Sequence, residues 1–337
     1  MVKICFIHRA VHDLESFLRI ARLDENLSGS LVWDEEKPDI LIASEWIYYQ
    51  SDCFRKFKKL YRRSGIKVAY LGEALEPDFN IFDYCIGFNN RLGLNDGFIR
   101  LPSPYDKFSD FVDTRVNSIS KPEDALLELK SKSGFCNFLY SNPHAHPMRD
   151  SLFYEISKYK RVDSLGKHLN NVATPGTGYG GHSHDCVPIK SAYKFSIAAE
   201  NACFRGYTTE KILTSLEAHT VPVYWGNPDI EDDINPECFI NVSKLSGTDE
   251  LIDLIRRVDN NDSLWCDYVS KPWLTQKQAN EHKLRTERYR EQMSQLLAGA
   301  LPGRLGDGYH LDLYREHFFT GGYHYDHWYS FLERLRK

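Results

Sequence analysis

Three neighbouring segments carry the residue types and spacings that most directly suggest chemistry. They read YKFSIAAEN from Tyr193, GYTTEKI from Gly206 and VPVYWG from Val221. An apolar run that ends at a polar pair, followed by a glycine and a helical pattern, predicts a strand, a tight turn, a helix and a second strand. This order is a βαβ unit, in which anionic ligands bind beyond the carboxyl ends of the strands.

The helix of this unit is predicted to begin at Thr208, whose hydroxyl we expect to cap it. Lys211 then lies in the first helical turn. A cation at that end opposes the helix dipole, so an anion that binds there explains the lysine better than helix stability does. A nucleotide diphosphate has the required charge.

The composition is that of a soluble globular protein with two domains. The 337 residues are 42% hydrophobic and 26% charged, which allows two cores of ordinary size. The net charge of −5 gives no overall attraction for nucleic acid or acidic lipid. We therefore expect no nucleic-acid partner, and any anion site must be local.

The eight cysteines occur singly, without CxxC spacing, and several lie within apolar runs. This pattern favours buried, reduced thiols over a zinc site or a disulfide framework. The chain opens on a strand-like run, with no signal sequence and no segment long enough to span a bilayer. We expect a cytoplasmic protein.

The wider pattern of apolar runs predicts two doubly wound α/β domains. Strands are expected over 2–7, 39–43, 67–71 and 83–88, and then over 135–141, 162–165, 193–199, 221–224 and 239–242. Helices are expected over 53–63, 122–130, 147–159 and 208–219. We place one domain at 1–132, a second at 133–308 and a helical tail at 309–337.

The segments described first strongly resemble the donor-binding core of glycosyltransferase family 10, the α-1,3/α-1,4-fucosyltransferases, here of bacterial type. The matching motifs keep their order and spacing: YKFSIAAENA from Tyr193, GYTTEKI from Gly206, HTVPVYWG from His219 and NPECFINV from Asn235. Weaker matches lie within 71–88 and 142–149. The resemblance implies the GT-B fold, two Rossmann-like α/β domains facing each other across a cleft. The N-terminal domain would bind the acceptor, and the second domain would bind GDP-fucose.

By the same resemblance, the protein is an inverting enzyme that moves L-fucose from GDP-β-L-fucose to a GlcNAc-type hydroxyl, with an α-1,3 or α-1,4 linkage. Such a displacement needs a base for the acceptor hydroxyl and positive charge on the departing GDP. The resemblance makes Glu73 the base, with Glu76 of the same loop as the competitor. The residues it assigns to the donor are Arg149, Lys167, Glu200, Asn201, Gly206, Tyr207, Glu210 and Lys211.

The Gly- and His-rich segment 174–186 has no clear counterpart in the family. His182, His184 and Cys186 alternate and could reach one metal ion if extended, but ordering the glycines costs entropy, which favours adventitious binding. We expect no obligatory cofactor and no catalytic metal. Asp232 and Asp233 are interpreted as surface charge.

Alternatives remain for donor, activity and location. Another GDP- or UDP-sugar would suit the same scaffold, a carbohydrate-binding protein would keep the fold without turnover, and a zinc hydrolase would use the His-containing segment. The expected acceptor is an oligosaccharide such as N-acetyllactosamine. The aromatic and basic tail favours a helix that returns to the first domain; the alternative is peripheral contact with the inner face of the membrane. The sequence leaves the 3- or 4-linkage and the oligomeric state open.

Overall fold

The computed structural model describes residues 1–23, 29–76, 78–101, 119, 122–172 and 186–304. The chain forms two compact units. The first comprises Met1–Leu101 and the chain from Arg285 onward, and the second lies between Pro102 and Leu284. The tail expected at 309–337 lies outside the described residues.

The first unit contains a parallel sheet of six strands. They are β1 (Val2–Ile7), β2 (Leu31–Trp33), β3 (Ile40–Ser44), β4 (Ile66–Tyr70), β5 (Tyr84–Gly87) and β6 (Phe98–Arg100). The order is β2-β1-β3-β4-β5-β6, and every neighbouring pair is parallel. The chain passes from β1 to one side and returns on the other, so the topological switch point lies between the carboxyl ends of β1 and β3.

Helices α1 (Leu14–Ile20), α2 (Trp46–Tyr49) and α3 (Ser51–Tyr61) belong to this unit. The α1 helix begins with a capping box, in which the Ser16 amide donates to Asp13 Oδ1 over 2.8 Å. Beyond residue 284 the chain again packs on this unit. The buried Tyr289 hydroxyl donates to the Ala21 carbonyl, and the Tyr84 hydroxyl donates to the Pro302 carbonyl.

The second unit contains a parallel sheet of five strands. They are β7 (Gly134–Phe138), β8 (Val162–Ser164), β9 (Tyr193–Ala199), β10 (Val221–Trp225) and β11 (Ile240–Asn241). The order is β11-β10-β9-β7-β8, with all pairs parallel. Its switch point therefore lies between the carboxyl ends of β7 and β9. Both sheets are doubly wound, as the apolar runs predict.

The remaining helices are α4 (Pro122–Ser131), α5 (Met148–Tyr159), α6 (Val187–Lys190), α7 (Glu210–Glu217), α8 (Thr248–Asp259), α9 (Asp262–Ser270) and α10 (Gln276–Leu297). The division predicted at residue 132 differs from the observed units, because α4 packs with the second unit. Ala125 of α4 is fully buried in the same apolar cluster as Phe195 and Trp265. The predicted limit at residue 308 also differs, since the chain rejoins the first unit from Arg285.

None of the described helices combines the length and the apolar character needed to cross a bilayer. None of the eight cysteines forms a disulfide, and every one except Cys203 is buried. The buried thiols therefore match the prediction, with Cys203 as the exception.

Candidate active site

The candidate site of the second unit is built on Glu200, the first residue after β9 and thus next to the switch point. Its side chain is completely buried. Gly226, directly after β10, lies against it: a Cβ atom at position 226 would be 2.4 Å from Glu200 Cγ. With a φ of 152°, the position accepts glycine far better than any other residue.

Glu200 is joined to the start of α7 by a closed hydrogen-bond cluster. Its Oε1 accepts from the Thr209 amide over 2.8 Å, and its Oε2 accepts from the Thr209 hydroxyl over 2.6 Å. The Lys211 ammonium lies 3.2 Å from Glu200 Oε2 and 3.1 Å from Glu210 Oε1, and it donates to Thr209 Oγ1 over 2.9 Å. The ammonium thus donates hydrogen bonds to Thr209 and Glu210 and forms an ion pair with Glu200. We call Glu200, Thr209, Glu210 and Lys211 the lysine cluster.

Burial governs the electrostatics of the lysine cluster. Burial raises the pKa of Glu200, although Lys211 and the bonds from Thr209 act against the increase. Burial would lower the pKa of Lys211, but Glu210 and Glu200 outweigh it and raise that pKa. Lys211 thus stays cationic, at the helix N-terminus where an anion is favoured. The structure brings Glu200, Glu210 and Lys211 together, three of the residues that the sequence assigns to the donor; that assignment stays a prediction.

Two residues near the start of α7, Thr208 in the preceding turn and its partner Asp233, differ from the prediction. Thr208 does not cap the helix: the N-cap is Thr209, and the Thr208 hydroxyl instead donates to Asp233 Oδ2 over 3.1 Å and accepts from Asn227. The interpretation of Asp233 as surface charge is wrong, because this residue is 3% exposed. Gly206, at a φ of 77°, donates its amide to Asn227 Oδ1 over 2.8 Å. These bonds fix the glycine turn that precedes the helix.

Arg149 and Asn201 also meet at the carboxyl end of the second sheet. The guanidinium of Arg149 is 1% exposed and donates to the Asn142 carbonyl over 2.5 Å and to Asn201 Oδ1 over 3.3 Å. It lies 4.6 Å from the centre of the Tyr140 ring. Tyr140 in turn accepts from the amide of Ala199 at the end of β9. Arg149 thus ties the segment after β7 to the segment after β9.

The other two donor candidates are placed differently. Tyr207 is 2% exposed and follows the glycine turn directly. Lys167 is exposed after β8, and no hydrogen bond or ion pair within the described part of the chain joins it to the lysine cluster.

Glu73 lies in the first unit, shortly after β4, where its side chain is half-buried. Gly72, its predecessor, donates its amide to Glu45 Oε2 over 3.1 Å. Glu45 follows β3, so both carboxylates lie at the carboxyl edge of the first sheet. The sequence interpretation missed Glu45, although an apolar run ending at a carboxylate is the same signal that marks Glu73 and Glu200.

Within the described ranges no three His, Cys, Asp or Glu side chains are placed to share a metal ion. His182 and His184 lie outside those ranges. Cys186, the third residue of the proposed metal set, is buried. The zinc alternative therefore finds no site among the residues described here.

Solved structures with the same fold define the class of this protein. A crystal structure of an α1,3-fucosyltransferase with GDP-fucose superposes with a TM-score of 0.59 at 22% identity, over 86% of this chain and 90% of the other. Its counterpart with GDP gives a TM-score of 0.58 over the same shares. With two doubly wound parallel sheets, the fold is that of the GT-B glycosyltransferases.

Sequence comparison then identifies the family. Residues 129–298 match "Glycosyltransferase family 10 (fucosyltransferase) C-term", and residues 34–105 match "Alpha-(1,3)-fucosyltransferase FucT N-terminal domain". The chain belongs to glycosyltransferase family 10.

Among curated relatives, Alpha-(1,3)-fucosyltransferase FucT of Helicobacter pylori is 31% identical over 63% of this chain and 48% of its own length. The human GDP-fucose protein O-fucosyltransferase 3 is 37% identical over 41% of this chain and 29% of its own length. The chain thus spans half or less of the curated relatives it matches.

Proposed function

We propose that the protein transfers L-fucose from GDP-β-L-fucose to a hydroxyl of a GlcNAc-containing glycan, with inversion and an α-1,3 linkage. The observation that carries the proposal is the cationic Lys211, buried at the start of α7 beside the switch point of the second sheet. Membership of family 10 and the fold shared with solved α1,3-fucosyltransferases support it.

Donor binding draws on the lysine cluster. The Lys211 ammonium donates to Glu210 and Thr209 and lies 3.2 Å from Glu200 Oε2. We expect a phosphate to replace one of these protein contacts. The bond to Glu210 is the one we expect to exchange, because the Glu210 carboxylate keeps some exposure while that of Glu200 has none. The released Glu210 carboxylate then becomes an acceptor for ribose hydroxyls.

Glu73 acts as the general base in this proposal. Its carboxylate takes the proton of the acceptor hydroxyl as the hydroxyl oxygen bonds to the anomeric carbon of fucose, and the bond from that carbon to GDP breaks. The negative charge passes to the GDP phosphate, where Lys211 stabilises it. One displacement of this kind inverts the anomeric centre.

Replacing the base tests the assignment. Glu73→Gln should lower kcat by at least about a hundredfold, the usual contribution of a positioned base, with GDP-fucose affinity within about twofold of wild type. Glu76→Gln is the matched control, since this exposed carboxylate lies on the same loop. Substantial turnover by Glu73→Gln would show that the base lies elsewhere, and loss of turnover only in Glu76→Gln would transfer the role to Glu76.

A second candidate acceptor is a protein hydroxyl. The human and rat GDP-fucose protein O-fucosyltransferase 3 match about two fifths of the chain at 37% and 36% identity, above the 31% identity to the Helicobacter pylori relative. A shared donor half with a different acceptor explains both matches. Transfer of radiolabelled fucose to folded polypeptide domains, and not to N-acetyllactosamine, would favour this candidate.

We also propose a cytoplasmic location, which is supported by eight cysteines that form no disulfide. Labelling of the exposed Cys203 with a membrane-impermeant thiol reagent tests it in intact and lysed cells, with labelling expected only after lysis.

A further inference from the structure

Glu45 is a buried carboxylate that has no assigned role in the proposed reaction. It lies at the carboxyl end of β3, beside the switch point of the first sheet, and is 7% exposed. It is the N-cap residue of α2, yet its side chain makes no capping bond to that helix. Burying a carboxylate costs free energy unless hydrogen bonds or an opposite charge compensate it, so the partners of Glu45 need to be identified.

The side chain of Glu45 contacts the turn that carries Glu73. Its Oε2 accepts from the Gly72 amide over 3.1 Å, and its Oε1 would lie 3.4 Å from a Cβ atom at position 72. The preceding residues are held by the sheet, since the Leu71 amide donates to the Ile86 carbonyl over 2.8 Å. Beyond Leu71 the chain leaves the strand ladder, and the bond to Glu45 is the next restraint before Glu73.

The charges around Glu45 are mixed. Glu73 repels its carboxylate and Arg9 attracts it, while Tyr48 is a further titratable neighbour. No ion pair joins Glu45 to a cation of the described chain. Burial raises the pKa of Glu45 to about 7, against the effect of the Gly72 amide. Both the ionised and the neutral carboxyl keep an oxygen that accepts from Gly72, so its restraint does not depend on charge.

We propose that Glu45 is a positioning residue that holds the Gly72–Glu73 turn and so orients the Glu73 carboxylate toward the acceptor hydroxyl. This inference depends on the proposed role of Glu73 as base. An accepting oxygen at position 45 is what the turn needs, and glutamine supplies one in nearly the same place. Alanine supplies none, so Glu45→Ala removes the hydrogen bond that holds the Gly72 amide between the strand end and the base.

The kinetic test compares Glu45→Ala with Glu45→Gln. A displacement of about 1 Å in a reacting group can cost about a hundredfold, so we expect Glu45→Ala to lower kcat by roughly 10- to 100-fold. GDP-fucose affinity should stay within about twofold, since the donor cluster belongs to the other unit. Glu45→Gln should restore kcat to within about threefold of wild type. Wild-type kcat in Glu45→Ala would overturn the proposal.

Asp83→Ala is the matched control. Asp83 is 2% exposed in the same unit and accepts backbone amide bonds from Lys67 and Arg304, but it lies before β5, at the opposite edge of the sheet. We expect it to lower thermal stability and leave kcat unchanged at temperatures where the variant is folded. An equal loss of kcat in Asp83→Ala and Glu45→Ala would show a general structural effect and overturn the positioning role.

Hydrogen exchange separates this proposal from the proposed function. The Gly72 amide should exchange at least about tenfold faster in Glu45→Ala than in wild type or Glu45→Gln, with the Leu71 amide unchanged. Unaltered exchange at Gly72 would overturn the proposal even if Glu73 is the base. If Glu73→Gln keeps its turnover, the proposed base is wrong, and the exchange rates still decide whether Glu45 holds the turn.

Discussion

Removing the Lys211 cation tests the electrostatics of the lysine cluster. In Lys211→Met, the carboxylates of Glu200 and Glu210 keep their buried positions without the cation that neutralises them. Loss of one partner from a buried ion pair typically costs about 3–5 kcal/mol, because it leaves an uncompensated charge in a medium of low polarity. The side chains of Lys211 and Glu200 are 9% and 0% exposed, so the full range applies.

The size of this loss should depend on pH. Burial already raises the pKa of Glu200, and removing Lys211 raises it further. The variant therefore binds a proton in the folded state that its unfolded chain releases. Its unfolding free energy should fall by up to about 1.4 kcal/mol per pH unit as pH rises from the ordinary pKa of a glutamate to the raised pKa of Glu200 in the folded variant. The deficit relative to wild type is then larger at pH 8 than at pH 5.

Urea titration at pH 5 and pH 8 measures the loss, and hydrogen exchange of peptides from 193–225 serves as the readout, so that it reports on the second unit alone. Lys158→Met is the control, because Lys158 pairs with Glu155 on the surface at 70% exposure and should contribute less than about 1 kcal/mol. A second variant, Lys211→Met with Glu210→Gln, should recover part of the loss. Loss of less than about 1 kcal/mol at pH 8, or an equal loss at both pH values, would refute the reasoning.

Three further perturbations follow from buried groups. The raised pKa of Glu45 makes wild type lose about 3 kcal/mol of unfolding free energy as pH rises from 4.5 to about 8, and Glu45→Gln should not show this loss. Parallel profiles of unfolding free energy against pH in the two proteins would contradict this. Gly226→Ala should lose about 1–3 kcal/mol and weaken GDP binding in calorimetry by displacing Glu200, whereas Gly247→Ala, where a Cβ atom meets nothing within 4 Å, should not. Burial lowers the pKa of Lys190, so the folded protein releases this proton at a lower pH than the unfolded chain does, and wild type should gain stability as pH increases toward 10.5. Lys190→Met should lack this gain. Equal changes of melting temperature with pH in both proteins would exclude the explanation.

The central strands were predictable because parallel strands covered on both faces form continuous apolar runs. Ile40–Ser44 and Tyr193–Ala199 lie where such runs occur. The edge strands Leu31–Trp33 and Phe98–Arg100 of the first sheet were missed, whereas the equally short edge strands of the second sheet, Val162–Ser164 and Ile240–Asn241, were predicted. A run of two or three residues does not establish a period by itself.

The contacts of the site were less predictable than its residues. Thr208 has the residue type of a helix cap, but its hydroxyl is used by Asp233, 25 positions later. Such a bond depends on tertiary structure that no local pattern encodes. The same applies to Glu45, whose partner Gly72 is 27 positions away. That Lys211 is satisfied by protein acceptors could not be inferred from its place in a motif.

Donor-dependent release of GDP tests the central claim most directly. The purified chain is supplied with GDP-fucose and N-acetyllactosamine, beside GDP-mannose and UDP-galactose, and GDP or UDP is measured with and without a chelator. We expect release only with GDP-fucose, faster with the acceptor, and unchanged by the chelator. Release from another donor alone, or no binding of GDP-fucose in calorimetry, would contradict the assignment of this site to fucosyl transfer.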